Sequence, residues 1–248
     1  METSAKGMRV LVTAGGAGIG RAIAQTFRDH GARVHTCDID AKTKPDTVTD
    51  VSDVGQVDKL FQEVQKNLGG LDVLVNNAGI AGPTGKVEDI RPEDWERCIA
   101  IDLNGMFYCT RKAMPLIKAA GGGSIINLSS AAGRLAFPMR TPYSAAKWAV
   151  VGFTESLAAE AGPFKVRVNC IQPGIVEGER IERVIGAKAQ RLGVSNEEVR
   201  KKMVEGVSML TTVSAQDIAN MALFLATEAG KHISGQALSV CGGTRYLV

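Results

Sequence analysis

The sequence predicts an α/β fold in which one parallel sheet is covered by helices on both faces. Short runs of Val, Ile and Leu alternate with longer segments whose apolar residues recur every three or four positions. Strands that alternate with helices in this way are typical of parallel sheets. The chain has 248 residues, of which 45% are hydrophobic, and this is enough to bury one sizeable core. We therefore expect about seven strands in a single domain over residues 1–248.

The N-terminal part of the chain predicts a strand, a glycine-rich turn, a helix and a second strand. Residues 8–12 and 32–37 are the apolar runs, and the periodic helix between them ends near residue 30. Glycines in such a turn let the backbone approach a pyrophosphate, which binds at the helix N-terminus. The pattern therefore predicts a dinucleotide site. Its candidate cofactor-binding residues are Gly15, Gly16, Gly18, Ile19 and Gly20.

Asp38 closes the second predicted strand and is the candidate residue for the ribose of the cofactor. A carboxylate at this place accepts hydrogen bonds from ribose hydroxyls and repels a 2′-phosphate. No Arg or Lys lies within the glycine turn or directly after Asp38. NAD is therefore expected rather than NADP, with Asp40 a weaker candidate for the same contact. The interval from Asp38 to Asp50 leaves room for a turn and a short strand but not for a helix.

The segment from Ser130 to Lys147 carries the candidate catalytic groups. Residues 122–130 read as a buried strand that ends in hydroxyl side chains, with Ser130 last. Thr141-Pro142 predicts a helix start, with the Thr141 hydroxyl as the cap and Pro at the first helical position. Tyr143 and Lys147 are four residues apart on that helix and share one face. A phenol beside an ammonium is a usable acid–base group, because the cation favours the phenolate.

Ser130, Tyr143 and Lys147, together with the glycine turn, resemble the classical short-chain dehydrogenase/reductase (SDR) family over nearly the whole chain. The resemblance implies a doubly wound Rossmann fold with strand order 3-2-1-4-5-6-7. It implies that Ser130 orients the substrate oxygen, that Tyr143 exchanges the proton, and that Lys147 activates Tyr143 and holds the nicotinamide ribose. Cofactor contacts are also implied for Asp50, Val51, Asn77, Ala78, Gly79, Tyr143, Lys147, Pro173, Gly174, Ile175 and Val176.

The chain departs from the family pattern at four positions. Ala14 replaces the first glycine of the turn, and Asp102 replaces the catalytic Asn that links the Lys to solvent through a water. Gly178 stands where the family has a Thr beside the nicotinamide, and Cys241 replaces an Asp after the last strand. Asp102 is therefore a doubtful fourth catalytic residue, since it adds a charge near Lys147.

The excursion over residues 177–209 is too long for a simple connection and predicts a helical substrate lid. Arg140 lies three residues before Tyr143, on the segment that lines the pocket mouth in this family. In the related 3-hydroxybutyrate dehydrogenases, a Lys at this offset grips the substrate carboxylate. Arg140 is thus the candidate substrate residue for a small anionic alcohol, with Arg134 or Arg180 as helpers. A surface or interface role for Arg140 is equally compatible with the sequence.

Composition excludes several other function classes. Net charge is +3 with scattered basic residues, so no nucleic-acid surface is expected. No run is long and apolar enough for a membrane span, and the polar N-terminus has no signal core. Five widely spaced cysteines predict reduced thiols in a cytoplasmic protein, and three separated histidines predict no metal site.

These observations predict an NAD-dependent oxidoreductase that interconverts a secondary alcohol and a ketone on a small anionic or polar substrate. One alternative is a 3-oxoacyl-thioester reductase of the same family, which would normally use NADPH. A second is a catalytically idle NAD-binding sensor or interaction protein. By the resemblance, the helix from Pro142 is expected to join a four-helix bundle in a homotetramer, with a dimer next.

Overall fold

In the computed structural model, residues 3–248 are described, and they build a parallel sheet in the order β3-β2-β1-β4-β5-β6-β7. The predicted fold class and strand order are confirmed. The order reverses between β1 and β4, and ligands of such sheets bind at this point, beyond the carboxyl ends of the strands. The strands are β1 (Arg9–Thr13), β2 (Arg33–Asp38), β3 (Thr47–Val48), β4 (Val73–Asn76), β5 (Gly123–Leu128), β6 (Val166–Pro173) and β7 (Ala237–Val240).

Eight α-helices are assigned within the described residues, and they cover both faces of the sheet. Side chains alternate between faces along a strand, so Val10 and Val12 pack with Phe27 on one face, and Leu11 packs with Leu60 on the other. The helices are α1 (Gly18–Asp29), α2 (Val54–Leu68), α3 (Pro92–Ile99), α4 (Gly105–Ala119), α5 (Thr141–Ala161), α6 (Glu179–Leu192), α7 (Asn196–Glu205) and α8 (Ala215–Ala226).

The connection between β2 and β3 has no α-helix, as the short interval predicted. A 3-10 turn at Ala41–Thr43 leads into the two-residue strand β3. The Asp40 carboxylate caps this turn by accepting a hydrogen bond from the Lys42 N–H at 2.9 Å. Asp40 thus serves the local turn.

Helix α5 begins one residue earlier than the sequence indicated. Thr141 is its first helical residue, and Arg140 is the N-cap with no side-chain hydrogen bond to the helix end. The prediction that the Thr141 hydroxyl caps the helix is therefore wrong. The consequence is that the Arg140 side chain sits at the start of the helix that carries Tyr143 and Lys147.

The excursion over residues 177–209 contains two helices, α6 and α7. Ser195 and Glu198 form a capping box at the start of α7. The helices bury a small apolar cluster of their own, including Ile185, Ala189 and Met203. Val176 pairs with Val213 in an isolated parallel bridge, so the two ends of the excursion are joined at its base.

Candidate active site

The glycine turn after β1 packs so closely that side chains are excluded from it. A Cβ atom on Gly20 would lie 2.0 Å from the Ala14 carbonyl oxygen, and one on Gly15 would lie 2.7 Å from Thr36 Cγ2. A Cβ atom on Gly16 would overlap Thr43 in the following 3-10 turn. Gly18 has a φ of +50° with open space around it, which leaves that side of the turn accessible to a ligand.

The N-terminus of α1 meets the requirements of a pyrophosphate site. Its N-cap, Ala17, makes no side-chain hydrogen bond, and the first turn of the helix contains no acidic residue. The free N–H groups and the positive end of the helix dipole therefore face the glycine turn without a competing protein anion within this helix. These residues fit a dinucleotide phosphate.

Ala14 adopts a backbone conformation that favours glycine. Its φ is +48°, in the left-handed region, which strains any residue with a Cβ atom. Its carbonyl oxygen accepts a hydrogen bond from Asn77 Nδ2 at 3.1 Å. Ala14 therefore holds this turn conformation at a cost in backbone strain.

The Asp38 carboxylate lies at the carboxyl end of β2, beside the glycine turn. It accepts hydrogen bonds from the Gly16 N–H and the Asp40 N–H, both at 3.1 Å. These bonds fix its orientation, and Asp38 remains half-buried rather than enclosed. Its position at the edge where a cofactor ribose would lie fits the expected role.

Asn77 and Ala78 join the carboxyl ends of β1 and β4. Their two backbone N–H groups donate to Thr13 Oγ1 at 2.9 and 3.0 Å, and Asn77 Nδ2 donates to the Thr13 carbonyl at 3.0 Å. One strand further, Asn76 Nδ2 donates to Asn127 Oδ1 at 2.8 Å. These buried amides hold the strand ends at which the candidate residues sit.

Two candidate cofactor residues after β3, Asp50 and Val51, are tied into the start of α2. The Asp50 carboxylate accepts hydrogen bonds from the Ser52 N–H at 2.9 Å and the Ser52 hydroxyl at 2.7 Å. Val51 is buried, and its Cγ2 atom would lie 2.7 Å from a Cβ atom on Gly105. Both residues therefore have local structural contacts beside any cofactor role.

The residues next to Ser130 in the chain pack the end of β5 against α5. The Ser129 hydroxyl donates to the Lys147 carbonyl at 2.8 Å, and a Cβ atom on Gly133 would lie 2.5 Å from the same carbonyl oxygen. The Ser130 hydroxyl itself caps a 3-10 turn by accepting from the Ala132 N–H at 3.1 Å. This close packing fixes the strand end that carries Ser130 against the helix that carries Tyr143.

Tyr143 and Lys147 share one face of α5, as their spacing predicted. Lys147 Nζ lies 5.6 Å from the centroid of the Tyr143 ring. The ammonium is buried and donates a hydrogen bond to the Leu128 carbonyl at 3.1 Å. The carbonyl at the end of β5 thereby holds the Lys147 ammonium beside the Tyr143 ring.

Asp102 forms a buried ion pair with Lys147, a contact the sequence left undecided. Asp102 Oδ1 lies 3.2 Å from Lys147 Nζ, with the Asp102 side chain fully buried. The carboxylate also accepts hydrogen bonds from the Ile80 N–H at 3.0 Å and from Cys98 Sγ at 3.3 Å. Burial, followed by the charge of Asp102, raises the pKa of the Cys98 thiol to about 12, so Cys98 remains a donor.

A π-helical segment, Ala100–Asn104, places Asp102 in this position between α3 and α4. Such segments insert an extra residue into a helical turn and are frequent at functional sites. No residue pattern in the sequence marked the π segment. A Cβ atom on Gly79 would lie 2.3 Å from Asp102 Oδ1, which explains the need for glycine after Ala78.

The segment after β6 is closely joined to the last strand. The Gly174 N–H donates to the Val240 carbonyl at 3.0 Å, and the Ile175 carbonyl accepts from the Val213 N–H at 2.9 Å. Pro173 ends β6 and Val176 forms the bridge at the base of the excursion. The Ile175 carbonyl is therefore already used within the protein.

Arg134 points to the C-terminal segment. Its Nη2 atom donates to the Thr244 carbonyl at 2.8 Å and contacts Cys241 Sγ at 3.5 Å. Burial alone would raise the pKa of Cys241, but hydrogen bonds from Thr244 and Arg134 outweigh it and lower that pKa. This geometry gives a structural role to Arg134 and no support to its candidate substrate role.

Arg140 is buried beside Tyr143, with its Cζ atom 5.5 Å from the centroid of that ring. An exposed surface role for Arg140 is thus wrong. Arg180 also lies near Tyr143, with its Cζ atom 5.8 Å from the same centroid, and it donates to the Gly79 carbonyl at 3.2 Å. Lys188 on α6 is also buried close to Arg140, and the sequence analysis missed it. Its only signal was a lysine among the apolar positions of an amphipathic helix.

Comparison with known proteins gives the family. Residues 13–245 match the family described as enoyl-(acyl carrier protein) reductase. A D-beta-hydroxybutyrate dehydrogenase from Rhizobium meliloti is 33% identical, covering 94% of this chain and 96% of the relative. The 3-oxoacyl-[acyl-carrier-protein] reductase FabG of Chlamydia muridarum is 34% identical, covering 94% and 95%. The solved structure of NAD+-bound xylitol dehydrogenase superposes with a TM-score of 0.90 at 26% identity, covering 96% and 99%.

The chain belongs to the short-chain dehydrogenase/reductase family of oxidoreductases. Its fold implies a nicotinamide dinucleotide cofactor. Among residues 3–248, no helix combines the length and the hydropathy needed to cross a membrane.

Proposed function

We propose that this protein is an NAD-dependent dehydrogenase that interconverts a secondary alcohol and a ketone on a small polar or anionic substrate. The observation that carries this proposal is the Lys147 ammonium, which is buried 5.6 Å from the Tyr143 ring centroid at the carboxyl edge of the sheet. A buried cation beside a phenol is the arrangement that proton exchange by Tyr143 requires, and Asp102 offsets the cost of burying that charge.

The proposed mechanism assigns one role to each residue. The Ser130 hydroxyl donates a hydrogen bond to the substrate oxygen and orients it. The Tyr143 phenolate accepts the hydroxyl proton during oxidation and returns it during reduction. Lys147 stabilises the phenolate by its charge, and Asp102, with the Leu128 carbonyl, fixes the ammonium. The bound nicotinamide supplies the hydride acceptor or donor.

The choice of NAD rests on Asp38. Its carboxylate is oriented beside the glycine turn by the Gly16 N–H, where a 2′-phosphate would meet a negative charge. An Asp38→Ser variant is expected to lose preference for NAD over NADP. Equal use of the two cofactors by the wild-type protein would contradict the assignment.

The testing experiment is a cofactor-reduction screen with NAD and then with NADP, against acidic, sugar and neutral secondary alcohols. Turnover that disappears in a Tyr143→Phe variant, which retains NAD binding, is expected. NAD binding without turnover of any alcohol would instead support the idle sensor.

A 3-oxoacyl-thioester reductase is the second candidate, because a relative and the matched family carry acyl carrier protein in their descriptions. That function predicts oxidation of NADPH with a 3-oxoacyl thioester. Asp38 argues against it, since it disfavours the phosphate of NADPH.

We further propose a homotetramer, with a dimer as the alternative, in the cytoplasm. Phe107 on α4 and Trp148 on α5 are large apolar side chains that are 45% and 53% exposed, as suits an intersubunit bundle. All five cysteines are free thiols, which is typical of a reducing compartment. Sedimentation of the purified protein tests the assembly.

A further inference from the structure

Two cations meet on one aromatic ring where α6 covers the segment before α5. Arg140 Cζ lies 5.2 Å from the centroid of the Phe137 ring, and Lys188 Nζ lies 5.1 Å from the same centroid. Arg140 is 2% exposed and Lys188 is 5% exposed. The fold therefore holds two positive charges out of water and close to each other.

Most donors of these two side chains have no protein partner. Arg140 donates one hydrogen bond, to the Ala81 carbonyl, while its Nε and Nη1 atoms and Lys188 Nζ have no acceptor among the described residues. Neither side chain takes part in an ion pair described for residues 3–248. Burial lowers the pKa of both groups, and for Lys188 the charge of Arg140 adds to this.

A buried cation without a counter-charge destabilises a fold, because it has lost water and gained nothing in return. Two such cations side by side also repel each other. The aromatic ring offsets part of this through its negative face. An anionic ligand would offset the remainder, and the unused donors would receive its oxygen atoms.

The position of the pair relative to Tyr143 limits the size of that ligand. The Arg140 guanidinium carbon lies 5.5 Å from the centroid of the Tyr143 ring. Tyr143 is the residue that exchanges the proton in the proposed mechanism. An anionic group at Arg140 and a hydroxyl carbon at Tyr143 must therefore be only a few atoms apart.

We propose that Arg140 and Lys188 together bind the carboxylate of a short 2- or 3-hydroxy acid, or of the corresponding oxo acid. One carboxylate oxygen would accept a hydrogen bond from the Arg140 guanidinium, and the other would accept one from the Lys188 ammonium. The bound carboxylate would thereby link α6 to the segment before α5. Lys188 is then a specificity-determining residue supplied by the excursion. This inference rests on the proposed function, since it identifies the acid class of the substrate of that site.

The test compares acids with their neutral amides of the same shape. The pairs are 3-hydroxybutyrate with 3-hydroxybutyramide, and lactate with lactamide. For the wild-type protein, kcat/KM is expected to favour the acid. In Lys188→Met this preference should fall by about tenfold or more, because one charge-assisted hydrogen bond is lost. Turnover of the amides should fall much less, because a neutral carbonyl oxygen forms a weaker hydrogen bond with the ammonium than a carboxylate does. Lys201→Met is the matched control, since Lys201 lies exposed on α7.

Two further measurements do not depend on turnover. Calorimetric binding of propionate should weaken by about tenfold in Lys188→Met and remain unchanged in Lys201→Met. Without any acid, Lys188→Met should melt at a higher temperature than the wild type, since it removes a buried unpaired charge. A lysine with a purely structural role would give a lower melting temperature, and that result would overturn the proposal.

The outcomes separate this inference from the proposed function. Turnover of amides or polyols that equals turnover of acids would refute the carboxylate site while the dehydrogenase assignment stands. Propionate binding that needs Lys188, without turnover of any alcohol, would support the site and refute the dehydrogenase. Tighter binding of inorganic phosphate than of propionate would refute the carboxylate assignment. Lys188→Gln serves as a second variant of similar length.

Discussion

The ion pair between Asp102 and Lys147 gives the most direct test of how this site is held together. The two charges are 3.2 Å apart, and both side chains are nearly or completely buried. At an effective dielectric constant of about 20, Coulomb's law gives roughly 5 kcal/mol for such a pair. The Leu128 carbonyl and the Ile80 N–H still serve the remaining partner after either charge is removed. We therefore expect a smaller measured coupling of about 2–3 kcal/mol.

The perturbation is a double-mutant cycle with Lys147→Met, Asp102→Asn and the double variant. Lys147→Met leaves a buried carboxylate without a counter-charge and should lower the free energy of unfolding by about 3–5 kcal/mol. Asp102→Asn should cost less, because asparagine can still accept a hydrogen bond. The double variant should be more stable than the sum of the single losses predicts.

Urea unfolding followed by fluorescence of Trp95 and Trp148 measures these free energies at one fixed protein concentration. The exposed pair Lys231 and Glu228 is the control, with an expected coupling below about 1 kcal/mol. Losses at Asp102 and Lys147 that simply add, within about 0.5 kcal/mol, would refute the reasoning. Turnover separates their roles, since it should vanish in Lys147→Met and persist in Asp102→Asn.

Four other predictions concern the turn, the core and the excursion. Ala14→Gly should raise the free energy of unfolding by about 0.5–1 kcal/mol, because it relieves a φ of +48°; no gain in urea denaturation would argue against strain. Gly20→Ala should cost about 1–3 kcal/mol and weaken NAD binding by calorimetry, since its Cβ would meet a backbone oxygen at 2.0 Å. Burial lowers the pKa of His35 from 6.5, so the unfolded chain takes up the proton at a higher pH than the folded protein does. Stability should fall as pH drops below 6.5, by at most about 1.4 kcal/mol per pH unit, and His35→Gln should flatten this dependence. An unchanged slope in that variant would contradict the assignment. Burial also lowers the pKa of Lys188, so this ammonium should lose its proton at a lower pH than an exposed lysine does. As the pH is raised, the KM for hydroxy acids should therefore begin to increase below the pH range in which an exposed lysine titrates.

The strands, the helices and the short β2–β3 connection could be predicted because they follow from local signals, whereas the strand order was implied by the family resemblance. Period-two and period-3.6 patterns mark the elements, and the short interval after Asp38 excludes a helix by length alone. Tyr143 and Lys147 could be paired because residues four positions apart on one helix lie next to each other on the same face. Each of these inferences needs only a short stretch of chain.

The remaining features depend on contacts between distant segments. Whether Asp102 meets Lys147 depends on a π-helical turn that no residue type announces. Lys188 lies among the apolar positions of α6, but only the packing of that helix on Phe137 shows that its ammonium is buried. Arg140 was singled out by its position three residues before Tyr143, but its burial follows from the same packing.

The bridge between Val176 and Val213 means that the excursion can be replaced as a unit. Because its two ends are already adjacent, a replacement of different length would need to close only a short gap, and loop-closure entropy grows slowly with length. The sheet would keep its strand pairing, and Tyr143 and Lys147 on α5 would stay in place. Exchange of residues 177–212 between relatives could therefore transfer a preference for substrates without rebuilding the chemistry beneath it.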